Sequence, residues 1–295
     1  MEIGAVYPQL ELGGDARSFE KFGRAVEQLG YQHLLMYDHV VGAQQSDREP
    51  ALEGPYTEND PFHDPFVAFA YLAGITTQLQ FITGILILPQ RQTVLVARQA
   101  ADLDLLSGER LTLGVGTGWN YVEYDALGQS FAERGRKLDE QIPFLRRLWS
   151  EPVVSHSGKY DVIDRASIIP RPKRTIPIYC GGHTEAAFRR GAREADGFIF
   201  VAWNYDLAVM PGHERIRELL AEDGRSEREF GVHYLPLPPP SGELSADVVS
   251  TALTRWRDAG VTKVTINSME LGFTHVDQHI GFLAGIKRTL DVEGF

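Results

Sequence analysis

Eight short apolar runs punctuate this 295-residue chain, and helix-forming stretches recur between them. The runs are Ile3–Tyr7, His33–Tyr37, Leu79–Ile85, Leu111–Val115, Ile176–Cys180, Gly197–Val201, Gly231–Leu235 and Lys263–Ile266. Several lack polar alternation, the pattern of parallel strands buried on both faces. SFEKFGRAVEQLG, between the first two, puts Phe19, Phe22, Val26 and Leu29 on one helical face and stops at Gly30, a helix C-cap. LLSGER and EADGF repeat this helix–glycine–strand order. Eight β-α repeats at this length fit a closed (β/α)8 TIM barrel better than an open doubly wound sheet. No composition shift marks a second domain, so residues 1–295 read as a single barrel with insertions in its loops.

Three connections exceed what a barrel needs: 40–63, 151–175 and 236–246. The first and third follow strands, on the side where barrel active sites are built, and loops of this length serve as lids or binding loops. VVSHSGKYDVID reads as a β-hairpin turning at Ser157-Gly158, and PLPPPSGE as a stiff extended connector. A net charge of -11 with no basic block argues against nucleic-acid binding. No apolar run reaches the roughly 18–20 residues of a membrane helix. The N-terminus has no signal-peptide pattern, and the lone Cys180 cannot form an internal disulfide, which together suit a cytoplasmic protein. The histidines are scattered and make no metal-ligand pattern.

LGVGTGWN, residues 113–120, tests a second fold class. A dinucleotide fingerprint G-x-G-x-x-G begun at Gly114 would place Trp119 where a small residue must pack, and one begun at Gly116 would place Tyr121 there. These glycines therefore belong to the end of the fourth barrel strand. There Gly116 and Gly118 either let the backbone approach a flat ligand or simply make a tight turn, and glycine positions alone favour neither.

Residues 84–128 (GILILPQ to YDALG), YDHVV at 37–41 and IPIYCGGHTEAAFRRGAREADGF at 176–198 together resemble the luciferase-like monooxygenase superfamily. Its members are TIM-barrel oxidoreductases that use FMN or the 8-hydroxy-5-deazaflavin coenzyme F420, and the chain is most similar to the deazaflavin branch. The resemblance implies redox chemistry on a small organic substrate. In it His39 exchanges a proton with the substrate and Asp38 contacts the cofactor. Thr83, Gly84 and Ile85 end the third strand, where related enzymes carry a bulge, often with a non-proline cis peptide, under the ring. Gly116, Thr117, Gly118, Trp119 and Asn120 line that ring, with Asn120 suited to its carbonyl and N–H edge. Gly181, Gly182, His183 and Thr184 open a helix and offer its N–H groups to the cofactor phosphate. Each residue also has a plain structural reading: His39 as a loop cap, Trp119 as core, Thr184 as an N-cap. An FMN-dependent monooxygenase and a non-catalytic flavin-binding barrel are the alternatives. Family members commonly pair through helices on one side of the barrel, and Thr93–Leu106 is apolar around most of its circumference, so a homodimer is expected.

Overall fold

All eight apolar runs carry strands of one closed parallel barrel in the computed structural model, which describes residues 1–202, 204–237 and 246–292. The chain begins β1 (Glu2–Val6), α1 (Gln9–Leu12), α2 (Ala16–Gln28), β2 (His33–Met36), α3 (Pro65–Ala73), β3 (Gln80–Thr83), β4 (Leu86–Ile87) and α4 (Thr93–Ser107). It continues β5 (Leu111–Gly116), α5 (Tyr121–Ala126), α6 (Arg134–Ser150), β6 (Val154–Ser157), β7 (Val162–Ala166), β8 (Ile178–Gly181) and α7 (Glu185–Glu194). The remainder is β9 (Gly197–Ala202), α8 (Met210–Glu222), β10 (Gly231–Pro236), α9 (Ala246–Asp258), β11 (Lys263–Ile266) and α10 (Val276–Val292). The barrel runs β3-β2-β1-β11-β10-β9-β8-β5, and Phe81 and Ile82 of β3 pair with Leu111 and Thr112 of β5 to close it.

Local chemistry sets the element ends. Asp15 caps α2 by accepting from the Arg17 and Ser18 amides at 3.3 and 3.2 Å, and Gly30 follows the helix with φ of +79°. Gly108 ends α4 in the left-handed region, φ +76°. The expected hairpin is β6–β7, turned through Gly158, whose N–H bonds Asp161 O at 2.9 Å. PLPPPSGE lies largely outside the described residues.

The third run ends as a strand at Thr83, short of the expected Ile85; the next peptide bond, Gly84–Ile85, is the non-proline cis bond that the family resemblance implies at this bulge, and the chain resumes as β4 against β5. Leu35 fills the space where a Gly84 side chain would lie, with Cδ2 only 2.4 Å from that point. Inside the barrel, Val6, Leu35, Tyr37, Ile82, Tyr179, Ile199, Leu235 and Met269 form one buried cluster. Tyr56, Phe62, Ile85 and Val201 extend it toward the mouth. Deeper in the barrel, His33 Nε2 and His233 Nε2 share the Thr265 hydroxyl at 2.7 and 2.6 Å. The larger cluster lies between strands and helices, where Val96, Ala97, Ala100 and Ala101 of α4 are buried. Val94, Leu95 and Leu106 of the same helix stay exposed. No helix of the described residues is long and apolar enough to cross a membrane.

Candidate active site

A cavity of about 410 Å³ opens where β3, β5 and β8 end, within the usual size range of ligand sites. Gly84 and Ile85 form one wall, and Thr117, Gly118 and Trp119 form a second. Gly181, Gly182, His183 and Thr184 make the third, above Ile199 and Val201 of β9. Nine of the residues singled out in the sequence thus converge on one space. The glycines of LGVGTGWN have two separate jobs. A Cβ on Gly116 would sit 1.8 Å from Ile85 Cδ1, so Gly116 lets Ile85 lie across β5; Gly118, with φ of +63°, makes the turn.

One end of the cavity presents backbone amides that could hold an anion. Gly182 adopts φ of +147°, and Thr184 caps the Ala187 amide at 3.2 Å, leaving the earlier amides of α7 without intrahelical partners. Two arginines line this cavity. Arg190 is neutralised by Asp139 at 2.8 Å. Arg134 stands over the Phe131 ring at 3.7 Å and donates to Phe131 O at 2.7 Å. Its Nε is buried without a hydrogen bond, and among the described residues it has no carboxylate partner. Positive charge without a carboxylate partner, in the same cavity as these amides and the glycine walls, fits a flat ring carrying a phosphate. Arg134 has no sequence signal of its own, because the turn it shares the cavity with lies 47–50 residues later.

His39 sits just behind Trp119, with ring centroids 5.8 Å apart, and its ring also packs on Tyr56 at 5.1 Å and Phe62 at 4.7 Å. The 40–63 loop closes over this group. Gln45 holds the Gly54 and Tyr56 carbonyls at 3.0 and 2.9 Å, Tyr121 donates to Pro50 O, and Gly54 lies against the Trp119 ring. His39 Nδ1 is 3.2 Å from Oε2 of Glu123, a buried carboxylate absent from the sequence reading.

Three expected site residues hold structural positions outside the lining of this cavity. The Asp38 side chain is fully buried and both its oxygens are used, by the Ile87 amide at 2.9 Å and Arg91 at 2.7 Å, so it anchors β4 rather than facing the cavity. Burial pushes its carboxyl up, opposed by Arg91. Asn120 caps α5, accepting from Val122 N at 3.1 Å and Glu123 N at 3.4 Å. Thr83 ties β3 to β5 by donating to Gly114 O at 2.7 Å. Cys180 is buried and its thiol is pushed up to about 12 by burial, which leaves it unreactive.

A closed barrel with its cavity at the strand ends and a histidine beside it has the layout of a TIM-barrel enzyme. Residues 4–278 match the family model described as luciferase-like monooxygenase, and the chain belongs to that family as one of its oxidoreductases. An uncharacterized protein of Mycobacterium tuberculosis is 33% identical over 82% of this chain and 82% of its own length. Pyrimidine monooxygenase RutA of Rhizobium rhizogenes is 30% identical over 57% of this chain and 48% of its own length. Among solved structures, an F420-dependent secondary alcohol dehydrogenase in complex with an F420-acetone adduct superposes with a TM-score of 0.78 at 17% identity, covering 98% of both chains.

Proposed function

We propose that the protein uses a bound deazaflavin coenzyme to oxidise or reduce a small organic substrate at the barrel mouth. The observation that carries this reading is the cavity that joins glycine walls to an unpaired arginine, with Trp119 shared between it and the His39 chamber. When bound, a deazaflavin supplies hydride transfer and reacts poorly with oxygen. The chain's own part is to hold and shield. Gly84, Ile85, Gly118 and Trp119 would flank the ring, while the 181–184 turn and Arg134 would take the phosphate. His39 would exchange a proton with the substrate under the 40–63 loop, among Tyr56, Phe62 and Trp119. The cavity's phosphate end is open, since His183, Thr184 and Glu185 are exposed, which admits a phosphate carrying a further chain. The resemblance of 37–41 and 84–128 to the deazaflavin branch supports the same choice. The 30% identity to a pyrimidine monooxygenase favours the second reading, an FMN-dependent monooxygenase.

Fluorescence titration with coenzyme F420 and with FMN separates the two. Tighter binding of F420 is expected. Tighter FMN binding would transfer the protein to the monooxygenase reading, and binding of neither would overturn both.

A further inference from the structure

Glu123, buried beside the mouth of the barrel, faces four donors. Its Oε1 accepts from the Val40 amide at 2.5 Å and the Val41 amide at 3.2 Å. Its Oε2 faces His39 Nδ1 at 3.2 Å and the Gln90 amide nitrogen at 3.3 Å. The side chain is 1% exposed, against 10% for His39. Burial works against its ionisation, but the hydrogen bonds from His39, Val40 and Val41 outweigh burial and hold its carboxyl below the usual carboxylate range.

We infer that Glu123 is a positioning residue: it fixes His39 in the Nδ1–H tautomer and leaves Nε2 as a hydrogen-bond acceptor in the aromatic chamber. The inference rests on the reading of His39 as the residue that exchanges the substrate's proton. An ionised carboxylate only accepts hydrogen bonds, so the histidine nitrogen that faces it carries the hydrogen. In the neutral ring the lone pair then lies on Nε2. Nε2 has no hydrogen bond among the described residues, and the walls around the ring are Tyr56, Phe62 and Trp119. The same carboxylate holds the backbone amides just after His39, so ring and main chain are tied to one point. Asn120, by capping α5, fixes that point in turn. His39 is thereby set as the acceptor of a proton from a substrate O–H or N–H, not as a donor to a carbonyl. The substrate class this selects is one that enters carrying a hydroxyl or amine beside an apolar body.

The test uses protein with ¹⁵N-labelled imidazoles and no cofactor, with long-range ¹H–¹⁵N correlation spectra recorded at a pH where His39 is neutral. His39→Asn assigns the signal. Wild type is expected to show protonated Nδ1 and bare Nε2. In Glu123→Gln the new Oε1 stays on the Val40 and Val41 amides, so its NH₂ faces His39 Nδ1. Gln90, whose Oε1 has no partner, turns to accept from that NH₂. The His39 tautomer is therefore expected to reverse. A protonated Nε2 in wild type, or an unchanged tautomer in Glu123→Gln, would overturn the inference. Should Glu123→Gln not fold, the wild-type spectrum alone decides. A protein that shows the expected tautomer yet binds neither F420 nor FMN would lose the proposed function while keeping this role for Glu123.

Discussion

An arginine with no carboxylate beside it is expensive in a half-enclosed cavity, and the chain leaves Arg134 in that state while pairing Arg190. On the proposed reading, the coenzyme phosphate offsets that cost. Removing Arg134 should therefore act on the phosphate and not on the ring. Arg134→Ala is expected to weaken the phosphate-bearing coenzyme by about 2 kcal/mol, roughly thirty-fold, the scale of a charge-assisted hydrogen bond. It should leave a ring fragment without phosphate almost unchanged. Equal losses for both ligands, measured by fluorescence titration, would remove Arg134 from the anion end. Gly182→Val is a poorer probe, since a Cβ there meets Ala187 Cβ at 2.7 Å and φ is already +147°. At this scale the sequence shows chemistry more readily than destination. Asp38, Thr83 and Asn120 are the right residue types, but each has a donor or acceptor closer than the cavity, and short polar side chains satisfy the nearest backbone first. Glu123 and Arg134 stay hidden because their meaning depends on partners far away, 84 residues in the case of Glu123 and His39.

Element positions were far easier to read. Buried parallel strands need unbroken apolar runs, so the eight strands announce themselves; no apolar pattern marks the break at Gly84-Ile85, which is legible only through the family resemblance. The apolar circumference of Thr93–Leu106 has a split explanation. One face is covered by the barrel and its neighbouring helices, and the rest leaves Val94, Leu95 and Leu106 exposed, with Val67 and Tyr71 of the adjacent α3 exposed as well. Water against that much apolar surface is unfavourable, and a second copy covering α3 and α4 is the proposed remedy. Light scattering at micromolar concentration is expected to give twice the 32.9 kDa chain mass, and Leu95→Lys with Val67→Lys to give half that value. A monomer in the wild type would contradict the pairing.

Across the whole molecule, four histidines are buried in the neutral state. Burial holds His33 well below the ordinary range, His233 at about 3, and His213 and His279 at about 4. Their folded values lie below the roughly 6.5 of an unfolded histidine, so below that pH the unfolded chain binds more protons than the folded one. The stability they permit is complete above pH 6.5 and is lost as pH falls toward 4, by up to about 1.4 kcal/mol per unit for each. Urea unfolding between pH 7 and 5 should show this decline, and a flat profile would mean these groups are hydrated or charged in the native state. The barrel, its closure and the region of the site follow from strand pattern and glycine placement; the hydrogen-bond network that directs His39 does not. The crystal structure of the protein with coenzyme F420 is the most direct measurement. The ring is expected between Ile85 and Gly118, with the phosphate on the amides of residues 182–184 and within hydrogen-bond distance of Arg134. A phosphate seated anywhere else on the barrel, or a ring outside this cavity, would contradict that assignment.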